Sequence, residues 1–199
     1  MKRTRFALMG LAIFCAVCVI VPAAAQTSES DIPDPEAFFG FKPGADRMLF
    51  TYEQLISYLQ KVDAHSDRLK MLEIGHSPEG RPMYIAFISS EENIARLEEL
   101  KTINRELALN PEIPEAQLEE MITDGKVFVL ATLSMHSSEV GPSQSAPLIA
   151  HDLVTTEDAR KKEWLDHVVY MMVPCHNPDG MNMVVENYRA GLPVKDIPA

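Results

Sequence analysis

Two runs suited to buried strands, 126–135 (KVFVLATLSM) and 167–174 (HVVYMMVP), lie on either side of a stretch with helical signals, and that order constrains the fold more than any other feature. Strands that are apolar without alternation are covered on both faces, as the central strands of parallel sheets are. Parallel neighbours cannot be joined by a tight turn, so a crossover is needed, here through helices expected over 140–153 and 156–164, and its hand should be right. The expectation is an α/β fold, a three-layer sandwich with a mixed, mostly parallel central sheet.

The preceding residues fit that plan. Thr51 has the character of an N-cap, with Leu55, Ile56 and Leu59 on one face of a helix reaching about residue 62. Segments 70–75 and 82–89 read as strands joined by a turn in which Pro78 and Gly80 supply the geometry. The spacing of Ile94, Leu97, Leu100, Ile103 and Leu107 predicts one helix over 91–109, stopped by Asn110-Pro111, and a short acidic helix follows over 114–122. A last helix is expected over 181–188. In such sheets the loops after strand ends carry chemistry, and here those loops are 136–139 and 175–180.

The first residues read differently. Lys2, Arg3 and Arg5 precede an apolar run over 6–21, and Pro22-Ala23-Ala24-Ala25 offers small residues for processing, so 1–25 has the form of a signal peptide cut after Ala25. The run is shorter than the roughly 20 residues a spanning helix requires, and no stable membrane insertion is expected after its removal. Residues 26–49, rich in Pro, Asp and Ser, form an extended lead-in anchored by Phe38, Phe39 and Phe41, and 50–199 is the domain proper. The expected location is secreted or periplasmic. Loss of the leader's cations makes the chain more acidic than the −11 of the whole sequence, which argues against nucleic acid as a partner. Cys175 is then the only remaining thiol, so no internal disulfide can form.

Three of the six histidines have an acid three positions on. His76 and Glu79 sit in the hairpin turn, and His176 and Asp179 lie in His-Asn-Pro-Asp-Gly, where Asn and Asp bond their own backbone; both pairs have a sufficient structural reason. His136 and Glu139 follow the most apolar strand with no turn former between them, and two donors of different type at a strand end can converge on one metal ion. His151 lies about 20 Å further along the helix axis and is excluded from that site. His176, on a strand end that can neighbour the first, offers a conceivable third donor. His65 and His167 read as surface or packing residues.

The motifs Ile74-Gly75-x-Ser77-x-Glu79-Gly80-Arg81-Pro82, His136-x-x-Glu139 and Asn177-Pro178-Asp179-Gly180 stand in the order and rough spacing of the zinc carboxypeptidases, and the chain resembles that family over residues 50–188. The resemblance implies a single Zn2+ ion with His136 and Glu139 as its first two ligands, a third ligand His well downstream, and a catalytic Glu further on. Neither of the latter matches a position among these 199 residues, so no catalytic residue is assigned within them. Ser138 departs from the family pattern, standing where well-known members carry an Arg that contacts substrate. The implied function is a secreted zinc-dependent peptidase acting on peptides or amino-acid conjugates near a C-terminus, with 50–199 as the N-terminal portion of the catalytic domain and inactive alone. The alternative is a non-catalytic, peptide-binding relative of the same fold. A serine hydrolase, suggested by the Ser-rich stretch 134–145, lacks the Gly-x-Ser-x-Gly elbow.

Overall fold

The computed structural model describes residues 32–191; the leader expected over 1–25 and its cleavage point lie outside them. Within them the elements run as α1 (Pro35–Phe39), α2 (Tyr52–His65), β1 (Leu69–His76), β2 (Pro82–Ile88), α3 (Glu91–Ala95), α4 (Leu97–Leu109), α5 (Glu115–Asp124), β3 (Val127–Thr132), α6 (Val140–Val154), α7 (Ala159–His167), β4 (Val168–Val173) and α8 (Pro178–Ala190). The strands form one mixed sheet in the order β1-β2-β4-β3. β1 and β2 form the expected hairpin, β4 pairs antiparallel with β2, and β3 pairs parallel with β4 across the α6–α7 crossover. The α/β class stands, but parallel pairing is confined to one of these three contacts.

Helices cover both faces. Because side chains alternate along a strand, β2 sends Ala86 and Ile88 to one side and Ile85 and Phe87 to the other. The first side packs on α2, α6 and α8 through Leu55, Leu59, Ala146, Ala150, Met181 and Val185. The second packs on α3 and α4 through Ile94, Leu97, Leu100 and Ile103, with Val169 and Met171 of β4. Three layers result.

β3 departs from expectation. Its apolar sequence suggested a strand covered on both faces, yet it is the last strand of the sheet among the described residues, and Val127, Val129 and Leu130 are 61%, 44% and 57% exposed. Side chains of both orientations are thus open. The helix expected over 91–109 is also broken, at Arg96, whose φ of −112° and ψ of 25° leave the helical region.

The local signals at α2 hold in detail. Thr51 caps the helix with a reciprocal capping box: its hydroxyl accepts from Gln54 N, and Gln54 Oε1 accepts from Thr51 N at 2.9 Å. Before it, Phe39 stacks on Phe50 with ring centroids 4.2 Å apart and Phe38 meets Tyr58 edge-on at 5.2 Å, so the aromatic lead-in is bound to the domain. The start of α2 is fastened to the far end of the sequence, since Tyr52 N donates to Asn182 Oδ1 at 2.8 Å and Phe50 exchanges two hydrogen bonds with Gln144.

Candidate metal centre

β3 ends at Thr132, and the loop after it is shaped by its neighbour β4. Leu133 N donates to Val173 O, then His176 N donates to Leu133 O at 2.7 Å and Asn177 N to Ser134 O at 3.2 Å, so the two loops after the parallel strands are laced together by their backbones. Ser134 turns the chain sharply. It is one of two non-glycine residues with positive φ among the described residues, at 50°, a conformation costing an ordinary side chain roughly 1–2 kcal/mol. Its buried hydroxyl donates to Glu139 O and accepts from Ser143 N at 3.0 Å, closing the loop onto the first turn of α6.

That loop presents His136 and Glu139 together. His136 Nδ1 lies 2.7 Å from Glu139 Oε1, His136 N donates to Glu139 Oε2 at 3.0 Å, and Glu139 N donates to His136 O at 3.0 Å. The imidazole hydrogen bond, joined by that of the backbone amide, holds the Glu139 carboxyl below its ordinary range, so it is ionised at neutral pH. Both side chains remain open to solvent, 72% and 48% exposed. Ligand bonds of 2.0–2.2 Å at a tetrahedral angle set two donors about 3.4 Å apart, so a small opening of this pair would admit a zinc ion. As a donor set, one imidazole nitrogen and one carboxylate suit that metal. Among the described residues no group of three His, Cys, Asp or Glu side chains is placed to hold a metal ion, and His176 therefore does not complete the pair.

The other histidine–acid pairs have structural partners, as their turn chemistry suggested. Glu79 pairs with Arg81, and His76 stands 3.6 Å from Glu73. Asp179, read from sequence as a local turn former, does more. Its Oδ1 accepts from Ser77 Oγ at 2.7 Å and from Arg81 Nη1 at 2.6 Å, while Oδ2 accepts from Glu79 N at 3.1 Å, so it locks the β1–β2 turn to the start of α8. Partial burial pulls its pKa up, but the bonds from Ser77, Arg81 and the Glu79 amide outweigh that, and the net shift is down. Arg81 also reaches Glu53, which accepts two bonds from Asn182. Arg189 is bound to Leu49 O on the lead-in.

Beside this network lies an open cleft of about 460 Å³, bordered by Glu79, Arg81, Ser137, Asn177, Asn182 and Glu186. It reaches the 136–139 loop at Ser137. Ser134 and Ser137 stood out in the sequence only as part of the Ser-rich stretch 134–145, and Asp179 only as a turn former; the structural roles had faint clues in a Ser two residues past the strand and a Gly directly after Asp179, neither distinctive alone.

The zinc carboxypeptidase family profile matches residues 55–192, and the chain belongs to that family. Among solved structures, thrombin activatable fibrinolysis inhibitor superposes with a TM-score of 0.52 at 14% identity, covering 82% of this chain and 33% of that one. Carboxypeptidase A from Helicoverpa armigera aligns at 15% identity and a TM-score of 0.47, covering 72% of this chain and 30% of that one. A metallo-carboxypeptidase from Burkholderia cenocepacia aligns at 20% identity and 0.45, covering 65% and 27% respectively. The chain thus spans about a third or less of the length of these proteins. No curated protein matches in sequence. Among the described residues no helix is long and apolar enough to cross a membrane.

Proposed function

We propose that the protein is an exported zinc-dependent peptidase of the carboxypeptidase type, with His136 and Glu139 as two of its metal ligands and 50–199 as the N-terminal portion of its catalytic domain. The observation that carries this reading is the 2.7 Å approach of His136 Nδ1 to Glu139 Oε1, on the loop after a parallel strand and inside the span that matches the family. When bound, zinc supplies a water acidified to a pKa of about 7 and a positive charge against which the carbonyl of the scissile bond is polarised. The chain's own residues set the conditions for that. Glu139 is ionised and ready to ligate, a ligating His136 Nδ1 must carry no proton, and Ser134 ties the Glu139 end of the loop to the first turn of α6. The substrate is a peptide or an amino-acid conjugate, cleaved near its C-terminus. In this reading the third ligand and the general-base Glu belong outside the described residues, so this segment alone binds zinc weakly and hydrolyses nothing. Residues 1–25 direct export.

Zinc content of the full-length exported protein, purified without added metal, tests the ligand assignment. One ion per chain is expected, falling steeply in His136→Ala and Glu139→Gln. Undiminished zinc in both variants would remove these residues from the site. Release of amino acids from a peptide pool, abolished by a chelator and restored by zinc, is the second expectation. Zinc binding with no hydrolysis of any peptide would favour a non-catalytic relative that binds peptides.

A further inference from the structure

The two loops behind the candidate centre meet at one contact that leaves no spare room. Gly180 is buried in the first turn of α8, and a Cβ placed on it would run into Ser137 Oγ and lie 2.8 Å from Ser137 Cβ and 2.7 Å from Asn177 Nδ2. Carbon atoms in contact sit about 3.5–4.0 Å apart, so each of these is an overlap. Rotating the Ser137 hydroxyl away does not help, because its Cβ is fixed to the backbone. Gly180 is not among the residues with positive φ, so space rather than conformation demands the missing side chain.

Ser137 stands directly between His136 and Ser138, two residues from Glu139, and a shift of its Cβ moves the backbone that carries both donors. Gly180 is a firm stop. Its N–H donates to Asn177 Oδ1 at 2.9 Å, and the neighbouring Asp179 is held by Ser77, Arg81 and the Glu79 amide. The geometry points to Gly180 as a positioning residue: its bare Cα, buttressed through Asp179 by the 77–81 turn, sets where Ser137 lies and hence how His136 Nδ1 approaches Glu139 Oε1. The effect on metal affinity rests on the ligand reading above, whereas the effect on the loop does not.

The test uses the full chain and two readouts, amide hydrogen exchange at His136 and Glu139 without metal, and affinity for zinc chloride measured against a chromophoric chelator. Gly180→Ala should speed exchange at both amides and weaken zinc binding on the order of tenfold, within the range lost with outer-shell partners of metal ligands. Ser137→Gly removes two of the three overlaps, so the double variant should recover most of both losses. Unchanged exchange in a folded Gly180→Ala protein overturns the inference, as does a double variant no better than Gly180→Ala. Should Gly180→Ala fail to fold, Ser137→Val crowds the same contact from the loop side, and unaltered exchange there overturns the inference equally. If exchange responds and is rescued while no form of the chain binds zinc, including wild type, the positioning role stands and the ligand reading falls.

Discussion

Asp179 shows how much a single carboxylate can carry. It faces Ser77, Arg81 and the Glu79 amide while being only 15% exposed, so its neutral form leaves three donors poorly satisfied. Its folded pKa lies below its unfolded value of about 3.9. A carboxyl shifted in that direction contributes stability that is present above the unfolded pKa and is lost as pH falls through the folded one. Urea midpoints measured downward from pH 6 should therefore drop below about pH 4, and Asp179→Asn should be less stable at neutral pH with a shallower acid slope. Parallel acid slopes for variant and wild type would rule Asp179 out as a main source. Cys175 offers a second check at this scale. It is buried, burial pushes its thiol up, and it should resist iodoacetamide in the folded protein and react on addition of urea. Rapid labelling without denaturant would contradict the packing described for the end of β4.

Elements whose determinants are local were legible before the structure. The capping residue of α2, the β1–β2 hairpin and the first crossover helix depend on neighbours within a few positions, and they fall where the residues place them, whereas α7, expected over 156–164, starts three residues later because Asp158 rather than Thr156 caps it. Thr51→Ala, which removes the capping box, is expected to cost about 1 kcal/mol, or roughly 2–4 °C in Tm, and an unchanged melting curve would show the cap to be redundant. The break between α3 and α4 was not legible, because the apolar spacing from Ile94 to Leu107 continues straight through Arg96, whose side chain pairs with Asp124 at the end of α5. The place of β3 was misread for a related reason: apolar composition reports what a strand is suited to be covered by, and says nothing about which strand comes next. The site divides in the same way. The His136 and Glu139 spacing was visible, whereas Gly180 and Asp179 act through contacts with distant residues that no short window of sequence contains, and Ser134, whose hydroxyl partners Glu139 and Ser143 are close in sequence, carries no signal that sets it apart from the other serines of the stretch 134–145.

Of the two edge strands of the sheet among the described residues, β1 and β3, it is β3 that exposes the larger apolar surface. β3 pairs only with β4 among the described residues and exposes Val127, Val129 and Leu130, and a long apolar edge of this kind is a template for pairing with another chain. The 199-residue chain by itself is expected to associate as its concentration rises, read by light scattering, and Leu130→Lys should reduce that association while leaving the far-UV spectrum unchanged. Equal scattering from both proteins would locate association elsewhere.

The bridge from Asp179 to Ser77 and Arg81 joins positions about a hundred residues apart, and that separation has a bearing on time. A hairpin closes within microseconds of being free to do so, whereas a contact across so long an intervening chain waits on the slow search for distant partners. During synthesis the hairpin and α2 can form while the 136–139 loop still lacks its brace, and that loop is fixed only after α8 has emerged and docked. A nascent chain halted shortly before residue 177 should therefore hold the hairpin while the amides of His136 and Glu139 still exchange freely with solvent, so the order of that loop arrives as a late step in the life of each molecule.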